Sequence, residues 1–372
     1  MAKRLVICCD GTWDKPIESD HGVRTSTNAH KVYAGLAAAD AGGDPQVPFY
    51  QLGVGTGGRL DRVGGGLLGV GLARNVRACY EFIVENYEPG DALYFFGFSR
   101  GAFTARSTVG MVRNSGILRR EHRDRLDDAF RLYRDRSEGT KPGSDPAKAF
   151  RERYSHPDGE IHFVGVWDTV GALGVPFPIP FWRRLWGFHD TQLSARVTNA
   201  FHAIAIDERR RPFSPTLWTR TDEPPGQRLE QVWFAGVHRD VGGGHADPGL
   251  ADIALRWMVE RAGTCGLSFD TDHFDVVEGP IEPQDAYAGV KIAPDALGTM
   301  HVSFKGFFKL FGSRWRTIPF AGRRASTSKS RQSVARTAER RAALDPGYTS
   351  PRLRTYLERE PEITEVTHLP IP

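Results

Sequence analysis

A chain of 372 residues, 40% hydrophobic and 25% charged, is long enough to bury a sizeable core and has ordinary globular composition. Its formal net charge of +4 is too small to imply nucleic acid, although basic residues concentrate late in the chain. No stretch of about 18 or more apolar residues is present, which excludes a spanning helix.

The N-terminus, Met1-Ala2-Lys3-Arg4, leads straight into Arg4–Cys9, which reads as a buried parallel strand. The run is too short, and too soon followed by Asp10, for a secretory signal. The expectation is a cytoplasmic chain as synthesised, with export by a signal-independent system as the alternative. Cys8, Cys9, Cys79 and Cys265 form no C-x-x-C spacing, which argues against a zinc site and for buried reduced thiols in a reducing compartment. The strand ends in Asp10-Gly11-Thr12-Trp13, a polar turn where α/β folds place ligand contacts. Gly11 or Thr12 can supply an N–H to an oxyanion there. A phosphatase-like reading with Asp10 as nucleophile is disfavoured, because Cys8 stands where D-x-D-G-T needs its first Asp.

Thr27-Asn28 caps a helix expected through Ala39, and Val47–Leu52 reads as the next strand. The glycines of 53–58 and 64–66 lack the Lys-Ser/Thr that completes a P-loop, so a flexible loop is expected. Arg74–Tyr87 is an amphipathic helix, with Val76, Tyr80, Ile83, Val84 and Tyr87 on one face. Leu93–Phe98 is an apolar strand that runs into Gly97-Phe98-Ser99-Arg100-Gly101, and Ala102–Val112 continues as a helix. This is the pattern of a nucleophile elbow, a sharp strand-to-helix turn that lifts a serine hydroxyl clear of the sheet. The N–H of Arg100, at the helix N-terminus, suits a negative oxygen.

Charges of both signs alternate from Arg119 to Arg136, the pattern of a solvated, self-paired face. Thr140–Pro146 reads as a loop, and Ile161–Trp167 as a buried strand ending in Asp168-Thr169-Val170-Gly171. Pro176–His189 is too aromatic and Pro-rich for a core helix. It reads either as a lid or acyl-chain-facing cap, with Phe177, Phe181, Trp182 and Trp186 as lipid contacts, or as a satellite hydrophobic cluster. Phe201–Ile206 is a further strand, Gln231–Ala235 the last clear one, and Leu250–Arg261 a helix. The 304–320 segment mixes aromatic and basic residues, and Arg323–Arg341 carries seven Lys/Arg against Glu339 alone.

Strands alternating with helices predict an α/β fold with a mainly parallel sheet covered on both faces. Ser99, Asp168 and His238 stand at strand ends in the chain order of an α/β-hydrolase triad. A serine hydroxyl needs a base to take its proton, and the base needs a carboxylate to fix its tautomer. Asp207 and Asp240 are alternatives for the acid, with ion pairing the favoured role for Asp207. His245 is an alternative base, and His202 reads as a core histidine.

Five blocks carry a resemblance: Asp10-Gly11-Thr12-Trp13, Gly97–Ala102, Val166–Gly171, Ala205–Arg210 and Trp233–Gly244. In this order, over roughly residues 3–260, they resemble a bacterial family of α/β-hydrolase proteins that includes the type VI secretion phospholipase effectors. The resemblance implies an α/β-hydrolase fold, a triad of Ser99, Asp168 and His238, phospholipase A activity on membrane lipids, and no metal or other cofactor for the chemistry. Residues 1–275 are expected to form the catalytic domain, with 176–190 as a candidate lid insertion and 276–372 as a basic, partly irregular extension. The expected partner is a lipid or ester substrate, with peripheral membrane contact and no nucleic acid. The rivals are a soluble carboxylesterase on small esters and a non-catalytic module that binds acidic lipid or nucleic acid.

Overall fold

An all-parallel sheet of eight strands organises the chain in the computed structural model, which describes residues 2–11, 18–20, 23–53, 65–135, 137–171, 192–219, 224–270, 274–276, 291–306, 309, 312–319, 332–359 and 361–366. In chain order the strands are β1 (Arg4–Cys9), β2 (Glu18–Asp20), β3 (Val23–Thr25), β4 (Gln46–Gln51), β5 (Ala92–Phe98), β6 (Ile161–Trp167), β7 (Val197–Ala205), β8 (Arg228–Phe234), β9 (Asp275–Val276), β10 (Lys291–Ile292), β11 (Gln332–Ala335) and β12 (Ile363–Thr364). The main sheet runs β12-β11-β8-β7-β6-β5-β1-β4, while β2 pairs with β3 and β9 with β10. After β1 the chain places β4 on one side and every later main-sheet strand on the other. The strand order therefore reverses at β1 and β5, and the carboxyl ends of those strands flank a ready-made crevice.

Both faces of the sheet are covered, which is why its strands read as continuous apolar runs rather than alternating ones. Leu5, Ile7, Cys9, Leu93 and Phe95 pack on one face with helices α2 (Gly65–Asn86) and α3 (Arg100–Ser115). Val6, Cys8, Tyr94, Phe96 and Phe98 pack on the other, with α1 (Asn28–Ala34) and the Gly249–Thr264 helix, whose Trp257 is fully buried. Removing such a large core side chain typically costs ~3–5 kcal/mol. A buried ion pair, Lys31 Nζ to Asp252 Oδ1 at 2.7 Å, ties these two helices together. No helix of the described residues is long and apolar enough to cross a membrane.

Several expectations shift. The first helix ends at Ala34, because Gly35 caps it and Leu36 bridges to Phe269. The glycines expected in a loop partly enter α2, which starts at Gly65. Within the 119–136 stretch Asp128 pairs with both Arg125 and Arg131, as a self-paired face requires. The sheet does not stop at β8. Gln332–Val334 pairs with Gln231–Trp233, and β12 pairs with β11. Half of the basic 323–341 stretch is therefore a folded strand and helix (Arg336–Leu344), with Arg341 donating to Ala296 O and Gly298 O and Arg336 paired with Glu339 and Glu365. Periodicity missed β11 and β12 because each is only a few residues long.

His202 sits at 0% exposure inside β7, as expected of a core histidine. Its Nε2 accepts from the Thr169 N–H at 3.1 Å, and its Nδ1 faces Gln231 Oε1 at 3.4 Å. Burial, with Arg106 nearby, pushes its pKa down to about 3. The unfolded chain takes up this proton near pH 6.5, the folded chain only near 3, so stability contributed above pH 6.5 is lost as pH falls between those values. At pH 5 the loss is about 2 kcal/mol. Urea unfolding at pH 7 and pH 5 should show a smaller acid penalty in His202→Gln than in the parent; equal penalties would refute this.

Candidate active site

The elbow forms because β5 ends where α3 begins, with no room for side chains between them. A Cβ on Gly97 would lie 2.7 Å from the Ala102 backbone, and one on Gly101 would lie 2.2 Å from Cys9 O. Ser99 between them takes φ 57° and ψ −119°. Ser99 and Asp168 (φ 40°) are the two non-glycine residues with positive φ among those described. Strain of this kind costs ~1–3 kcal/mol and persists only where the surroundings enforce it.

Register brings distant residues together. Phe98 pairs with Trp167, so Ser99 and Asp168 leave the sheet side by side, and the Asp168 N–H donates to Ala203 O at 2.7 Å. Beyond β8, Gly236 takes φ 113°, where a Cβ would strike Asp240, and the chain turns into the short helix His238–Gly242. His238 Nε2 then lies 2.8 Å from Ser99 Oγ, and His238 Nδ1 lies 2.5 Å from Asp168 Oδ2. All three side chains are buried. Phe98 and Phe213 flank the imidazole, with ring centroids at 4.7 and 5.0 Å.

The sequence reading missed Arg316. Its guanidinium grips Asp168, Nη1 to Oδ1 at 2.6 Å and Nη2 to Oδ2 at 3.0 Å, and Nη1 also donates to Ala205 O at 2.7 Å. Asp168 Oδ1 accepts the Ala205 N–H as well, at 3.0 Å. Burial alone would raise the Asp168 pKa, but Arg316 and the His238 hydrogen bond outweigh it and hold the carboxyl well below the usual range. For His238 burial wins over Asp168, and its pKa is lowered, so the ring is a neutral acceptor for a serine proton. The 304–320 segment, with its mix of aromatic and basic residues, therefore turns Arg316 inward, and Ile318 is buried with it. No local pattern marks Arg316, which stands among other cations and aromatics.

The remaining candidates fall as follows. Among the described residues Asp207 has no cationic partner, contrary to the expected ion pairing; it accepts from the Gly236 N–H and Tyr348 OH, while Glu208 pairs with Arg210 and accepts the His238 N–H at 3.3 Å. Asp240 and His245 interact with His301, and neither joins the Ser99–His238 hydrogen bond. Asp10 accepts from Thr27 and Tyr50 hydroxyls and from the Gly11 N–H at 2.7 Å, which engages the donor proposed for an oxyanion. Arg100 opens α3 as expected. Thr12, Phe177, Phe181, Trp182, Trp186 and the whole 176–190 segment lie outside the described residues. A cavity of about 490 Å³ lined by Arg106, Arg113, Tyr133, Lys141 and Trp218 contains none of the Ser99 chain.

Residues 3–261 match the family model of the type VI secretion phospholipase effector Tle1-like catalytic domain. The chain belongs to this Tle1-like family. The family is one of phospholipase-type hydrolases, and the resemblance drawn from the five sequence blocks is borne out. An uncharacterized protein of Saccharomyces cerevisiae is 29% identical over 237 residues, 58% of this chain and 33% of the yeast protein, so the likeness is not confined to bacteria. Among solved structures, an uncharacterized protein from Pseudomonas aeruginosa is 16% identical with a TM-score of 0.44, covering 78% of this chain and 49% of that one. The Tle1 effector bound to the VgrG spike of the type VI secretion system is 20% identical with a TM-score of 0.39, covering 66% and 52%. The chain thus spans a third to a half of the length of these three proteins.

Proposed function

We propose that this chain is a serine hydrolase that cleaves carboxylic esters of membrane phospholipids through an acyl-enzyme. The observation that carries the reading is the continuous hydrogen-bonded chain Ser99–His238–Asp168 at the mouth of the strand crossover. His238 Nε2 takes the Ser99 proton as Oγ bonds to the ester carbonyl carbon. The carbonyl electrons move to oxygen, where the Arg100 N–H at the start of α3 meets them. Because Asp10 engages the Gly11 N–H, Thr12 is the favoured second donor. The tetrahedral intermediate collapses, the bond to the leaving alcohol breaks, and His238 returns its proton to that oxygen. Water then repeats the sequence on the acyl-serine and releases the fatty acid. Asp168 keeps Nδ1 protonated and steadies the imidazolium, and Arg316 holds Asp168 in place. Phospholipid as substrate rests on the family; the aromatic 176–188 segment suits an acyl chain.

The deciding experiment is mass spectrometry after treatment with a fluorophosphonate, run beside fatty-acid release from phospholipid vesicles. The expected result is one adduct on Ser99, absent in Ser99→Ala and His238→Ala, and release of fatty acid by the parent alone. A folded parent that is not labelled would sink the hydrolase reading. Labelling and short-ester cleavage without attack on vesicles would replace the lipid substrate with small soluble esters.

A further inference from the structure

A second cluster of reactive side chains lies beside the short helix that starts with His238. One carboxylate oxygen of Asp240 and one ring nitrogen each of His245 and His301 all fall within 4.8 Å of one another. Asp240 is 3% exposed, and its other oxygen is held by the Val237 N–H at 2.9 Å and the His301 N–H at 3.2 Å, which aims Oδ1 at the imidazoles. His301 Nδ1 lies 2.6 Å from that Oδ1. The His245 ring stacks on His301 with centroids 3.7 Å apart and planes 14° apart.

The orientation of His245 is the telling feature. Its Nδ1 faces Asp20 Oδ2 at 3.4 Å, while its Nε2 points to Asp240 Oδ1 at 4.0 Å. The second distance is too long for a hydrogen bond. Two ligand atoms about 2 Å from one ion at a tetrahedral angle lie about 3.3 Å apart, so an ion would draw Nε2 towards Oδ1 by under about 1 Å and tip His245 out of its stack on His301. With Nδ1 turned to Asp20, Nε2 faces a carboxylate oxygen, an arrangement that a cation between the two would stabilise. A histidine whose second nitrogen donates to a carboxylate is the usual support for a metal ligand.

We propose that Asp240, His245 and His301 bind one divalent transition-metal ion, with zinc(II) the best match, and that Asp20 is the outer carboxylate that orients His245. The donors are Asp240 Oδ1, His245 Nε2 and His301 Nδ1, two imidazoles and a carboxylate, a set suited to zinc. As the metal–nitrogen bond to His301 forms, Nδ1 gives up its proton while Nε2 keeps or takes one, so that the ring binds as neutral imidazole, and the contact with Asp240 opens by under about 1 Å. The ion would staple three segments otherwise far apart in sequence: β2 through Asp20, the helix that carries His238, and the 291–306 segment. The expectation against zinc rested on cysteine spacing, and no cysteine is used here. The site is independent of ester hydrolysis.

The test is calorimetric titration of the chelator-treated full chain with Zn²⁺, without substrate, beside His245→Ala, His301→Ala and the outlying control His122→Ala. One ion per parent chain is expected, with affinity weakened at least about tenfold in each cluster variant and unchanged in the control. A second reading uses Co²⁺, whose absorption bands for a four-coordinate site should appear in the parent and vanish in His301→Ala. A parent that takes up no stoichiometric Zn²⁺, or cluster variants that bind as the parent does, would overturn the proposal and leave a hydrogen-bonded cluster only. Either outcome leaves the Ser99 reading untouched.

Discussion

Glycine and alanine at Ser99 should both abolish hydrolysis, by about 10³-fold or more, yet differ in stability. Each removes the Oγ proposed to attack and its hydrogen bond to His238. Alanine keeps the side-chain carbon at φ 57°, ψ −119°, while glycine occupies that region without strain. Strain at such positions amounts to ~1–3 kcal/mol, and the extra backbone entropy of glycine takes back ~0.5–1 kcal/mol. Strain relief wins, and Ser99→Gly should unfold at higher urea than Ser99→Ala by about 1 kcal/mol. Short-ester turnover and urea midpoints check the two halves separately. Turnover within tenfold of the parent in Ser99→Ala would remove the nucleophile, and a glycine variant less stable than the alanine one would mean the elbow is unstrained.

Arg316→Ala is the second large effect, through a residue that does not touch the substrate. Two consequences oppose each other. Removing a cation from Asp168 leaves more negative charge to stabilise the His238 imidazolium. It also strips a buried carboxylate of its bidentate partner, and breaking a buried pair from one side costs ~3–5 kcal/mol because the remaining charge is unpaired. Asp168 is 0% exposed, so it has no water to turn to and must rotate or take a proton. Either change frees His238, and a catalytic group displaced by about 1 Å costs on the order of 10²-fold in rate. The positional loss dominates: kcat should fall about 10²-fold with KM little changed, and urea stability should drop by ~3–5 kcal/mol. Arg316→Lys restores charge without the fork and should recover part of both. An alanine variant with parental kcat, or one impaired only in KM, would show that Arg316 does not position the acid.

Both variants draw on the same feature of the site: its geometry is enforced by packing rather than by local preference. Ser99 is held in its turn by the close approach of Gly97 and Gly101 to neighbouring backbone, and Asp168 is held by a residue near the other end of the chain. The cluster of Asp240, His245 and His301 has the same character, since its members and Asp20 lie far apart in sequence and meet only in the folded chain.

The sequence by itself determined the elements with strong local signatures. The apolar runs of β1, β5, β6 and β8, the amphipathic face of α2, and the glycine–serine–glycine turn each express a local constraint, whether burial on both sheet faces, helical period or steric crowding at a strand-to-helix turn. The positions of Ser99, Asp168 and His238 at strand ends were legible for the same reason, since a polar residue closing an apolar run marks where a buried strand meets the site. Only the tertiary structure decided what depends on pairing between distant segments. The register of Phe98 with Trp167 sets Ser99 beside Asp168. The late chain completes the sheet through β11 and β12, too short for periodicity to register. A guanidinium reaches Asp168 from a segment whose mix of aromatic and basic residues marks no single cation for burial, because a buried carboxylate without a cation is costly and Arg316 is the side chain the fold delivers there.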